Sequence, residues 1–194
     1  MDIKLESLLN YWVYFGVVEL VLVFLIYAWK KEVLGKFVRY AFGVVLILFL
    51  ATNGTGILLL HKAIKQSPLA AYLLSGSNSF FGQRMLATAE GVGEVIILVA
   101  FLYFAGWLVL RFRKPTVEKE FPLILGIIGI IAGFSNILPV ILLGLLLAIF
   151  WQIIKLKQQN RISLIPFLLL SAISINALNN FPFWQKVLES LRLI

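Results

Sequence analysis

Apolar residues run through this chain in long blocks, without the alternation of a half-buried strand or the one-sided stripe of a soluble helix. Asn10–Trp29 is broken only by Glu19, and Arg39–Leu60, Met85–Leu110, Phe121–Ile154 and Ile162–Phe181 follow. A hydrocarbon core about 30 Å thick takes roughly 20 residues of helix to cross, so each block predicts a membrane span. Phe121–Ile154 is too long for one. As a single helix it would reach about 51 Å, and the Gly133-Phe-Ser-Asn-Ile-Leu-Pro139 run inside it reads as a break.

Charge chooses between one long helix and two short ones. Loop 30–39 holds Lys30, Lys31, Lys36 and Arg39; loop 111–120 holds Arg111, Arg113, Lys114 and Lys119; loop 155–161 holds Lys155, Lys157 and Arg161. The positive-inside rule places all three on the cytoplasmic face. Two helices in the fourth block achieve that, and one does not. The expectation is therefore an all-α, polytopic membrane helix bundle forming a single domain over 1–194. It has six spans, about 10–29, 39–60, 85–110, 121–135, 137–154 and 162–180, and both termini are extracytoplasmic. Five spans with a long kinked fourth helix is the alternative.

Segment 61–84 falls outside the spans as an extracytoplasmic stretch, with His61–Lys65 and Leu69–Leu74 as short interfacial helix. In the tail, Asn179-Asn180-Phe181-Pro182 is a helix-start signature. Trp184, Val187, Leu188 and Leu191 then fall on one face, predicting an interfacial amphipathic helix over 181–194. The first block is no cleaved leader by its pattern: it is too long, and Asp2 and Glu6 precede it.

Composition agrees with the pattern and adds exclusions. Of 194 residues, 61% are hydrophobic and 13% charged, against about 45–50% and about 25% in soluble domains. Too little polar surface remains to wrap a Rossmann, P-loop or other soluble catalytic module. The net charge of +8 belongs to topology-setting loops facing anionic headgroups, and no basic stripe with interleaved aromatics points to nucleic acid. There is no cysteine, one histidine (His61) and one aspartate (Asp2). Thiolate chemistry, a His cluster and a Ser-His-Asp triad are thereby excluded, and no metal site is expected. No H-E-x-x-H, G-x-S-x-G or phosphate-cradling loop is present.

What remains is a handful of polar residues where they are expensive. Glu19 sits mid-span, where an ionisable group costs about 2.5–3.5 kcal/mol on insertion scales. Glu90 and Glu94 share one face of the third span at i, i+4, with Arg84 and Lys62 as potential ion-pair partners. Asn53 lies in Thr52-Asn-Gly-Thr-Gly56, and Asn136 lies beside Ser135 and Pro139. Both stretches can free backbone carbonyls for an ion or polar solute. Ser171, Ser174 and Asn176 add polar groups in the last span. Glu94, Asn53, Asn136 and Asn176 are expected at one level of the outer half. The bland reading for each is interhelical hydrogen bonding. His61, near the outer interface, is a weak cofactor candidate, and the cofactor itself is open.

A weak tandem repeat of helix hairpins runs through these residues. Gly16-Val-Val-Glu19-Leu20 resembles Gly91-Val-Gly-Glu94-Val95. Thr52-Asn53 before Ile57–Leu60 resembles Ser135-Asn136 before Val140–Leu143. The leading expectation is a small transporter of an ion or polar solute, or the membrane component of one. Glu19, Glu94, Asn53, Asn136, Glu90 and Asn176 are its candidate ligands. The alternatives are a non-catalytic subunit or assembly factor of a membrane complex, and an intramembrane enzyme acting on a lipid or quinone through Glu90, Glu94 and His61. The non-enzyme readings lead. Expected partners are the bilayer and other membrane subunits or a second copy of the chain.

Overall fold

The computed structural model describes residues 3–29, 31–66, 73–74, 79–112, 118–154 and 163–178, with side chains from Tyr14 in the first helix and Val33 in the second. Among them five helices follow in order: α1 (Ile3–Trp29), α2 (Lys31–Lys65), α3 (Phe80–Phe112), α4 (Phe121–Ile154) and α5 (Ile165–Leu178). Helix is the expected answer to long Leu/Ile/Val/Phe runs in lipid, because every backbone N–H and C=O must then find its partner within the segment. Three described helices, Val33–Lys65, Phe80–Phe112 and Phe121–Ile154, are long and apolar enough to cross a membrane. Tyr14–Trp29 and Ile165–Leu178 are shorter apolar helices. The protein is an all-α membrane helix bundle.

Several boundaries differ from the sequence pattern. α1 starts at Ile3, before Asn10, and α2 starts at Lys31, so residues 31–39 of the expected loop 30–39 are helical. His61–Lys65 continues α2 and does not start a separate element. Lys62 and Lys65 lie in its last turn, where their charge favours the helix C-terminus. At the other side, α3 begins at Phe80, before Met85. Ser79 caps it: its Oγ accepts from Gly82 N at 3.1 Å, and its carbonyl accepts from Gln83 N at 3.0 Å. The stretch 61–84 is therefore largely helical where it is described. The predicted amphipathic helix over 181–194 lies outside the described residues.

The fourth block holds the main architectural feature. Helical geometry fails inside it at one residue, Gly133, with φ 67° and ψ −178°. Asn136 and Pro139 belong to the helix that follows, so the break sits earlier than residue 136, where the pattern had put it. Contacts show that the chain turns back there. A straight helix would carry Gly144 about 35 Å from Phe121. Yet a Cβ on Gly144 would stand 3.2 Å from Leu168 Cα, one turn into α5. Ser163, just before α5, donates to Glu118 Oε2 at 3.2 Å, and the Glu118 carbonyl accepts from Phe121 N at 3.1 Å. Both ends of that path meet at one place, so α4 is an antiparallel hairpin. Its first arm (121–132) rises about 18 Å, turns at Gly133, and returns as the second arm (134–154).

The first arm is the centre of the bundle. Ile124, Ile127, Ile128 and Ile130 are at most 2% exposed, as a helix apolar on all sides should be when it is surrounded. Glycines set the close approaches. Gly126 faces the Phe42 ring of α2, Gly129 faces Leu102 and Val99 of α3, Gly106 of α3 lies against Pro122, and Gly16 of α1 lies against Ile131. The second arm packs on α5, which also contacts α1. Leu142, Leu145, Leu146, Ile149, Phe150, Ile153 and Ile154 stay exposed on it, a surface suited to acyl chains.

Candidate functional site

One hydrogen-bonded knot fixes the register of the helices. Tyr27 Oη donates to Glu118 Oε1 at 3.0 Å, and Ser163 Oγ donates to Oε2 of the same carboxylate. Tyr27 near the end of α1, Glu118 just before α4 and Ser163 just before α5 therefore meet at one end of the bundle. Glu120, close to Gly35 of α2, lies at the same end.

Depth can be counted from this plane at about 1.5 Å per residue. Glu19 of α1 and Ser171 of α5 each lie about 12 Å above it. Asn136, one turn past the hairpin tip, lies about 14 Å above it, and Asn176 about 20 Å. All four are buried: Glu19 is 9% exposed, Asn136 8%, Asn176 2% and Ser171 0%. Ser171 Oγ donates to the carbonyls of Val140 (2.8 Å) and Leu168 (2.9 Å) as a shared bond, joining α5 to the second arm. Asn136 Nδ2 donates to Ala132 O at 3.2 Å, satisfying a carbonyl beside the break, while Asn136 Oδ1 has no partner. Asn136 shares a helix face with Val140 and Gly144, the residues that meet α5. Glu19 lies next to fully buried Leu20, one turn from Gly16 at its contact with Ile131. No hydrogen bond or ion pair to Glu19 occurs among the described residues. The Glu19 carboxyl and the Asn136 amide oxygen are thus both withdrawn from water, the latter one turn past the break, with hydrogen-bonding capacity unspent among the described residues.

The expected single level of Glu94, Asn53, Asn136 and Asn176 is not found: Asn53 lies about 27 Å along α2 from Gly35, which meets Glu120, and Glu94 about 18 Å along α3 from Gly106, which meets Pro122. Glu90 and Glu94 are exposed on α3, turned away from Glu19. Arg84 lies over the Phe80 ring, 5.7 Å from its centroid, and no Arg84–Glu90 ion pair forms among the described residues. Asn53 faces α3 and lines a cleft with Phe49, Arg84, Ala87, Thr88, Gly91, Val92 and Val95. The backbone of α2 is helical through Thr52–Gly56. Thr52 and Thr55 bond the carbonyls of Leu48 and Thr52, and Asn53 Nδ2 bonds that of Phe49. The unwinding the glycines would permit is not taken up there.

His61 is half-buried with its ring against Phe81, centroids 5.2 Å apart. The acid/base constellation of His61, Glu90 and Glu94 is not assembled, because the two carboxylates lie on a different face and further along α3. Among the described residues, no three His, Asp or Glu side chains group to hold a metal ion. Asn53, Asn136 and Asn176, the echoing residues of the sequence, share one local habit. Each donates to the carbonyl four residues back. Their glutamate counterparts do not match: Glu19 is buried and Glu94 exposed.

The pattern did not single out Tyr27, Glu118 and Ser163, whose side chains are ordinary for helix ends. The cleft face of α3 was legible in principle, since Arg84, Thr88, Gly91 and Val95 recur at helical spacing. No protein-family model matches the chain, and no curated protein or solved structure resembles it significantly.

Proposed function

We propose that this protein is a small multi-pass transporter of an ion or small polar solute, or the membrane component of one, with its polar site beside the tip of the α4 hairpin. One observation carries the reading. A helix reverses inside the bundle at Gly133, Asn136 lies one turn past it with its Oδ1 unpartnered among the described residues, and Glu19 of α1 is buried at a similar height. Intramembrane carboxyls mark ion and proton pathways, and broken helices near mid-depth place backbone groups where a solute can use them. Oxygen donors without a fixed cationic partner suit a monovalent cation or a proton. In this reading the two arms count as separate membrane segments. The three basic loops are cytoplasmic, both termini are outside, and the tip opens toward the outer half.

The test is flux into proteoliposomes loaded with pH and Na⁺/K⁺ reporters. Glu19→Gln is expected to cut the rate at least tenfold, while Glu94→Gln retains it. Undiminished flux in Glu19→Gln, or none for the wild type with any of these ions, overturns the reading. Topology is checked on the same protein. Because the native chain has no cysteine, single Lys157→Cys and Ser77→Cys variants should label with an impermeant maleimide from opposite faces.

A second reading rests on Glu94. An exposed carboxyl shares its helix face with exposed Ile97 and Phe101, where lipid is a poor neighbour. A partner subunit offering a donor at that depth would relieve it. Loss of a co-purifying chain in Glu94→Leu would favour this reading.

A further inference from the structure

The first arm of α4 ends at about mid-depth, while α2 and α3 continue for several turns beyond it. Above the tip these two helices face one another, and the cleft between them has a cavity volume of about 320 Å³. Its lining is graded along α3. Arg84 and Thr88 stand at the end nearer the helix start, with Asn53 of α2 opposite. Val92 and Val95, with Phe49 of α2, form the deeper end toward the tip. Counted along α3, the two ends are about 16 Å apart. Arg84 is the one charged residue of the lining. It is exposed, and it meets only an aromatic ring, with no carboxylate partner among the described residues. Glu90 and Glu94 stand about 120° and about 80° around the helix from Arg84, and neither pairs with its guanidinium among the described residues. Asn53 Nδ2 and Thr88 Oγ1 each donate to a helix carbonyl.

We infer that this cleft binds an anionic acyl lipid, with its phosphate on Arg84 and the start of one chain along Val92, Val95 and Phe49. An unpaired guanidinium at the mouth of an apolar slot matches a phosphate, which it can grip through two parallel bonds. The apolar depth behind it matches a hydrocarbon chain. A small polar solute would leave the valine end bare, and an uncharged lipid would leave the guanidinium unpaired. This site is separate from the Glu19 level and stands on different residues.

The test uses the full chain in detergent, titrated with dioleoyl phosphatidylglycerol and dioleoyl phosphatidylcholine and read by native mass spectrometry. The expected result is at least tenfold tighter binding of the phosphatidylglycerol. Arg84→Gln should lose that preference and Arg84→Lys should keep part of it. Gly91→Leu provides a steric variant. A Cβ at that position meets no neighbouring atom within 4 Å, so the rest of a leucine side chain would occupy the cleft itself. It should weaken binding of both lipids at this site. Inorganic phosphate at millimolar excess should not displace the lipid. Equal affinity for the two lipids, a preference unchanged in Arg84→Gln, or displacement by phosphate alone each overturns the inference, the last assigning the site to a free anion. None of these readouts depends on flux, so failure here leaves the transport reading to its own experiment.

Discussion

Replacing Gly133 with alanine separates a hairpin from a continuous helix by the sign of one free-energy change. Gly133 holds φ 67° and ψ −178°, a region essentially confined to glycine. Forcing an L-residue there costs about 1–3 kcal/mol. No atom lies within 4 Å of a Cβ built at that position, so clash adds nothing and the backbone term stands alone. At 1.4 kcal/mol per factor of ten, the folded-to-unfolded ratio should fall roughly 5- to 140-fold. Were the segment an unbroken helix, the same change would stabilise it by about 0.5–1 kcal/mol, the ordinary alanine advantage over glycine. Gly54→Ala supplies the control, since Gly54 lies within α2 and is equally open. Reversible unfolding in mixed micelles with rising SDS, followed through tryptophan fluorescence, measures both. The expected outcome is a loss for Gly133→Ala and a small gain for Gly54→Ala. A gain in both would refute the reversal and every argument that rests on it.

Other contacts give further expectations. Gly144→Leu should destabilise by more than about 1–3 kcal/mol, the usual cost of a few extra methylenes in a packed core, because even a Cβ there would stand 2.8 Å from Leu168 Cδ2 and 3.2 Å from its Cα; a melting curve in the same micelles reads it. Ser171→Ala removes the shared bond to Val140 O and Leu168 O and should cost about 0.6 kcal/mol, the average for interhelical hydrogen bonds in a membrane. A loss above about 2 kcal/mol would mean that Ser171 holds more than this bond.

The blocks of apolar residues and the basic loops between them were readable without any structure. So were the rare polar residues worth watching, because burying charge in lipid is costly wherever the helix turns out to face. Glu19 and Asn136 were picked out on that ground, and both prove buried. The stretch Gly133–Pro139 was readable as a break, but its exact residue was not. Several of its members are plausible breakers, and the contact of the second arm with α5 settles which one turns. Glu94 shows the limit most clearly. It matches Glu19 in local sequence, yet it is exposed.

A helix apolar on every side carries no record of which side faces inward. That choice was made by the close approaches at Gly16, Gly106, Gly126, Gly129 and Gly144, each of which needs a partner distant in the chain. Sequence therefore ordered residues along each helix, through its fixed rise per residue. Only the packed bundle placed them around it. That second coordinate separates the buried Glu19 from the exposed Glu94, and it opens the α2–α3 cleft above a hairpin that stops at mid-depth.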